Sequence, residues 1–301
     1  MANHGTLRGV GQTALGVAKF RARESERADR LFDDPYAEAF VAAVPEALAG
    51  APEALAAAPE AVARAPEAVA ERRAPPGEPS SLGAIFQARV AIRTRFLDDY
   101  LLAATAAGCR QIVLVAAGLD TRGYRLEWPT GTRLFEIDQP DVLAFKDAVL
   151  NSQGAVPRCD RMALAADLRE DWAGALLGCG LRPAERTAWL AEGLLIYLTA
   201  EEAGRLLEAV TGLSVPGSQI AFEYNDTHDG GPVSRAAVMP GASRITSLWK
   251  GGLGADTPDW LTRHGWRVQT HDIGPVAASY RRRIPGRASG GFLTATRGPA
   301  S

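Results

Sequence analysis

The chain has 301 residues, 47 % of them hydrophobic, and a formal net charge of −2. That supplies core for one large domain or two small ones, and the near-neutral balance excludes a global field for nucleic acid or an anionic membrane. No run approaches the roughly 20 apolar residues that a membrane-crossing helix needs, and the first ten residues lack the apolar core of a signal peptide. Cys109, Cys159 and Cys179 are far apart and odd in number. They read as reduced thiols in a cytoplasmic protein, not as a disulfide framework. His4, His228, His264 and His271 form no zinc-type spacing with them, so no metal is expected.

In chain order, residues 12–43 read as helix, broken at Asp33-Asp34-Pro35, where Pro35 suits the first turn of a following helix. Four units follow at intervals of seven, starting at Pro45, Pro52, Pro59 and Pro66, each a Pro-Glu-Ala triplet with one apolar residue (Leu48, Leu55, Val62, Val69). Proline every seven residues is incompatible with one continuous helix, at ~3 kcal/mol each. Each Pro-Glu pair is instead good chemistry for starting a short helical turn. The segment is either a low-complexity surface expansion or a flap over a pocket. Residues 82–107 carry helical periodicity, with Gly108 placed as a C-terminal cap.

Strand-like runs then lie near 111–117, 133–138, 160–166, 187–191, 218–224, 265–271 and 291–297. Helical patterns near 140–151, 170–178 and 200–213 separate the earlier ones. This alternation implies an α/β fold, a doubly wound seven-stranded, mostly parallel sheet with right-handed crossovers. The last two runs show no convincing helix between them and are expected to pair antiparallel at an edge. Residues 1–80 are read as a helical N-terminal cap containing the repeats, and residues 81–301 as a ligand-binding domain.

The first strand ends in Ala116-Ala-Gly-Leu-Asp120 and the second in Glu136-Ile-Asp138. Open parallel sheets bind nucleosides with this layout: a glycine turn admits the ligand to the backbone, and an acid takes the ribose hydroxyls. Gly118 is the one glycine of that turn, so the G-x-G-x-x-G set that holds a pyrophosphate is missing. NAD or FAD is thereby disfavoured. Glu136 and Asp138 are two apart on a strand and share a face, so either suits the ribose. Asp167-Leu168 after the third strand suits a base, with the acid on an exocyclic amine and the leucine on the ring; a helix N-cap is the alternative. Glu192 ends the fourth strand among apolar neighbours and needs a cationic partner, from a ligand or from an arginine. Arg89 and Arg93 share a helix face, with Arg95 nearby, and either can fork a carboxylate.

The set formed by Thr13-Ala-Leu, Arg21-Ala-Arg-Glu24, Asp34-Pro-Tyr36, Ala88-Arg-Val90, Arg93-Thr-Arg-Phe96, Ala117-Gly-Leu-Asp-Thr-Arg122, Glu136-Ile-Asp-Gln-Pro140, Asp167-Leu168 and Glu192-Gly-Leu-Leu-Ile-Tyr-Leu198 resembles the bacterial S-adenosylmethionine-dependent methyltransferases related to leucine carboxyl methyltransferase. The resemblance runs from about Gly11 to Glu223. It implies the class I methyltransferase (Rossmann-like) form of the fold and S-adenosylmethionine as cofactor. It also implies Arg89 on the cofactor carboxylate, Ala116 and Gly118 along the cofactor, and Asp138 on the ribose. Asp167 and Leu168 would lie at the adenine, Glu192 at the methionyl end, and Arg21 as a basic residue approaching from the N-terminal helix. Ala116 stands where relatives usually carry glycine, and the repeats have no counterpart. The expected reaction is O-methylation of a carboxylate or hydroxyl on a small molecule or peptide, with secondary metabolism as one setting. A carboxylate acceptor needs no base, whereas a hydroxyl acceptor would need one, for which Tyr197, His228 and Tyr224 are unranked candidates. A non-catalytic cofactor-binding protein and an NAD-type oxidoreductase are the alternatives. Nothing in the sequence fixes an oligomeric state.

Overall fold

The computed structural model describes residues 10–44, 82–224, 249–285 and 290–299. The Pro-Glu-Ala repeats, the expected boundary near residue 80 and His228 lie outside them. Seven strands form one sheet in the order β3-β2-β1-β4-β5-β7-β6. They are β1 (Gln111–Val115), β2 (Arg133–Asp138), β3 (Asp160–Ala165), β4 (Thr187–Ala191), β5 (Gln219–Tyr224), β6 (Trp266–Asp272) and β7 (Gly291–Arg297). The first five run parallel, and β7 inserts antiparallel between β5 and β6.

Strand alternation explains the two-sided core. In β1, Val113 and Val115 face one layer, joined by Phe135, Ile137, Trp189 and Phe222 from neighbouring strands. Helices α6 (Trp172–Gly178), α7 (Ala200–Gly212) and α8 (Thr257–Arg263) cover that face through Leu176, Leu206, Val210 and Leu261. Ile112 and Leu114 face the other way, against Leu97, Leu101 and Ala104 of the long helix α3 (Leu82–Ala106). Buried on both faces, the central strands read as continuous apolar runs. Helices α1 (Val10–Ser25) and α2 (Ala37–Ala43) form a third cluster, in which Leu15, Ala18 and Phe40 pack with Leu119, Tyr124 of α4 (Arg122–Arg125), and Val142 and Phe145 of α5 (Pro140–Ser152). The N-terminal helices thus lie against the turn that follows β1.

Two sequence expectations need correction. A helix does separate β6 from β7: α9 (Ile273–Ser279) buries Ile273 and Ala277, four apart on one face. Pro275 disguised it, but proline in a first helical turn forfeits no hydrogen bond. Strand β1 also stops at Val115 instead of continuing to residue 117. Ala116 takes φ of 57°, in the left-handed region, and Gly118 takes 50°. These two residues turn the chain off the sheet.

Left-handed backbone costs an L-residue about 1–2 kcal/mol, whereas glycine adds about 0.4–1 kcal/mol of unfolded-state freedom. Ala116→Gly is therefore expected to raise stability by about 0.5–1 kcal/mol, read from urea denaturation midpoints. A loss of stability would show that the alanine methyl contributes packing that outweighs its strain.

Candidate active site

In a parallel sheet the carboxyl ends of neighbouring strands lie side by side, and ligands bind where strand order reverses. Here the reversal falls between β1 and β4. Asp167 follows β3, Asp138 ends β2, Ala116 and Gly118 follow β1, and Glu192 follows β4. The fold brings these sequence-selected residues into one row along the end of the sheet.

Glu136 and Asp138 separate cleanly. Glu136 is fully buried and accepts from Lys146 Nζ at 2.7 Å and Arg161 Nη2 at 2.7 Å. Its charge is spent inside the fold, joining β2 to α5 and β3. Asp138, at the strand's rim, accepts from the Gly118 N–H at 2.6 Å and the Gln139 N–H at 2.7 Å. Burial pushes its carboxyl up, opposed by those two N–H groups. A half-buried carboxylate with room for further donors is a suitable acceptor for a diol. Asp138 therefore also ties the end of β2 to the glycine turn twenty residues earlier.

Arg21 reaches the same turn from α1. Its Nη2 donates to the Leu119 carbonyl at 2.6 Å, and its Nε lies 2.9 Å from Asp34 Oδ2. Asp167 is clasped by Arg169, two residues on, while Leu168 packs against the core. Asp167 is not the cap of the following helix; Asp171 fills that position, accepting from the Gly174 N–H.

The partner of Glu192 is arginine. Arg93 Nε contacts one carboxylate oxygen at 2.8 Å and Arg122 Nη1 the other at 2.7 Å. Arg93 also pairs with Glu223 near the end of β5, whose second oxygen accepts from the Gly193 N–H at 2.5 Å. Arg122 Nε contacts Asp98 at 2.6 Å, and Arg122 Nη1 also pairs with Asp120. Asp98 is forked by Arg125 at 2.6 and 2.7 Å. Arg89, one turn before Arg93, is partly buried and feels Glu223 and Arg93. Arg93, in contrast, is committed to two carboxylates. Arg89 and Glu192 are among the candidates legible in the sequence; Arg122, Asp98, Asp120 and Glu223 are not. Asp120 and Arg122 stood in the quoted motif; the distant partners Asp98 and Glu223 carried no local signal.

Burial opposes the charge on Asp120, but Arg122, then Lys146 and Arg125, prevail and hold its carboxyl at about 2. Glu192 is likewise lowered against burial, by Arg122 and Arg93. Tyr197 lies in a short 3₁₀ turn (Leu195–Tyr197), and the hydroxyl of Tyr224 lies 3.5 Å from the Ala255 carbonyl. Both are only partly buried, at the same end of the sheet.

The family model described as leucine carboxyl methyltransferase matches residues 14–211. A protein of Parafrankia sp. (strain EAN1pec), named "putative S-adenosyl-L-methionine-dependent methyltransferase", is 50 % identical over 294 residues, covering 96 % of this chain and 87 % of that one. A protein of Frankia alni with the same descriptive name is 50 % identical over 291 residues, covering 96 % and 95 %. Among the described residues, no helix is long and apolar enough to cross a membrane.

Removing Arg122 would take the ion-pair partner from Asp120 and one of two arginines from each of Asp98 and Glu192. Arg122→Met is expected to destabilise the fold by about 3–5 kcal/mol, measured by chemical denaturation; a loss under about 1 kcal/mol would mean the acids find other partners. Asp120 adds a pH signature. Its carboxyl titrates at about 2 in the fold and at about 3.9 when unfolded. Between those values the unfolded chain binds more protons, so this contribution is complete above about pH 4 and lost as pH falls toward about 2. Asp120→Asn should flatten stability against pH in that window, and an unchanged slope would assign the acid limb to other carboxylates.

Proposed function

The chain belongs to the leucine carboxyl methyltransferase family, and from that premise we propose that it transfers a methyl group from S-adenosylmethionine to an oxygen of a small molecule or peptide. The observation that carries this reading is the Asp138–Gly118 contact, which sets an acceptor-only carboxylate beside a left-handed glycine turn at the sheet's switch point. The donor set fits the cofactor. Asp138 has acceptor capacity for the ribose hydroxyls, and Gly118 admits a ligand to the backbone. Asp167 can accept from the base amine while Leu168 offers it an apolar face. Arg89 would fork the carboxylate, with Glu192 at the methionyl end and Ala116 along the chain between. Arg21 acts on the turn through the Leu119 carbonyl.

When bound, the cofactor supplies an already activated methyl group on sulfur. The protein's own contribution is then to hold donor and acceptor in line and to exclude water. The turn is fixed from two sides, by Asp138 below and Arg21 above. Glu192 enters the site already neutralised by Arg93 and Arg122, so it shapes that end without presenting a bare charge. A carboxylate acceptor would need no base. A hydroxyl acceptor would need one, and Tyr197 and Tyr224 are the described candidates. The donor site and the acceptor chemistry are separable by experiment.

Asp138→Ala removes the ribose acceptor and loosens the turn, and is expected to weaken S-adenosylhomocysteine binding by roughly 10–100-fold, read by titration calorimetry with the fold checked by circular dichroism. Unchanged affinity in a folded variant would remove Asp138 from the site. Transfer of labelled methyl to a panel of organic acids and phenols tests the oxygen acceptor; transfer to amines or thiols alone would contradict it.

A further inference from the structure

The Asp167 carboxylate is more constrained than a base contact alone requires. Its Oδ1 accepts from the Arg169 backbone N–H at 2.9 Å and from Arg169 Nε at 2.9 Å. Its Oδ2 accepts from Nε at 3.1 Å and also from Nη2. Both oxygens therefore lie against one planar guanidinium, which fixes the plane of the carboxylate. Gln139 adds a smaller contribution: its N–H donates to Asp138 at 2.7 Å, and its side chain, after Arg169, also lowers the Asp167 carboxyl. One residue thus joins the proposed ribose acceptor to the proposed base acceptor.

The fold does not need this clasp. The Arg169 side chain is 72 % exposed, and exposed ion pairs add little to stability. The helix beyond is capped by Asp171. What the clasp does supply is orientation and charge. A carboxylate held against a guanidinium stays ionised, as the downward shift of the Asp167 carboxyl by Arg169 shows, and an ionised carboxylate can only accept. It will take the N–H of an amino group on a purine ring. A ring carbonyl in the same place would set oxygen against oxygen, and a site built for one hydrogen-bond polarity rejects the other strongly.

We propose that Arg169, backed by Gln139, is a positioning residue that holds Asp167 as a fixed acceptor and thereby selects a 6-amino purine over a 6-oxo purine in the cofactor. The proposal rests on the nucleoside reading of the site given above. It assigns Arg169 no contact with the reacting atoms.

The test is titration calorimetry of S-adenosylhomocysteine and its 6-oxo counterpart, S-inosylhomocysteine, against wild type, Arg169→Ala, Arg169→Lys and Gln139→Ala. Wild type should prefer the amino ligand by about 10–100-fold, as expected for a hydrogen bond to a charged group. Arg169→Ala should erase most of that ratio, chiefly by weakening the amino ligand, with an unchanged melting temperature. Arg169→Lys keeps charge without the fork and should recover the ratio only in part. Gln139→Ala should reduce it while leaving the backbone bond to Asp138. A full ratio in folded Arg169→Ala would overturn the proposal, as would equal binding of the two ligands by wild type, which leaves the cofactor assignment standing. If wild type binds neither, the cofactor assignment itself falls.

Discussion

Arg122 has 2 % of its side chain exposed and holds three carboxylates, from Asp98, Asp120 and Glu192. An isolated guanidinium could not be buried at such cost. Those three acids come from the long helix, from the turn after β1, and from the loop after β4. One cation therefore sets the relative positions of three segments that meet at the switch point of the sheet. Glu192 and Glu223 leave neighbouring strand ends and would repel. Arg93 bridges them, with Glu192 on Nε and Glu223 on Nη1. Counting Arg89, which feels Glu223, and Arg125, four arginines meet four acids (Asp98, Asp120, Glu192 and Glu223), and the charges cancel.

That cancellation has a functional sense. A site for a zwitterionic, sulfonium-bearing ligand gains from fixed dipoles and paired charges that need not reorganise when the ligand arrives. The charged machinery lies on the β4 and β5 side, under the long helix. The β2 and β3 side is organised differently, by Asp138 on the Gly118 N–H and by the Asp167–Arg169 clasp, both nearer solvent. The row of strand ends is thus polarised: a buried ion cluster at one end and rim carboxylates at the other. The N-terminal helix closes on the middle through Arg21, and Ala14 lies 3.5 Å from where a Cβ on Gly118 would stand.

The sheet was legible because its parallel strands are buried on both faces and stand out as apolar runs between helical patterns. The row of site positions followed from where those runs end. What stayed hidden has specific causes. Pleating puts Glu136 and Asp138 on one face, so alternation cannot tell them apart. Only the arrival of Lys146 and Arg161, ten and twenty-five residues away, removes Glu136 from the choice. Asp98 lies 24 residues from Arg122 and Glu192 lies 70 away, and no local pattern announces such a pairing. The helices Thr257–Arg263 and Ile273–Ser279 escaped because Pro258 and Pro275 in their first turns resemble breaks. The left-handed Ala116 is visible only in the backbone, although its standing where relatives usually carry glycine marked it as unusual.

In the proposed complex a nucleoside cofactor lies across the carboxyl ends of β3, β2, β1 and β4. Amide hydrogen exchange with and without saturating S-adenosylhomocysteine tests it most directly. Slower exchange is expected in peptides covering 116–119, 138–139, 166–169 and 191–193, with β6 and β7 unchanged. Protection confined to residues 266–272 and 291–297, or none at the four strand ends, would contradict it.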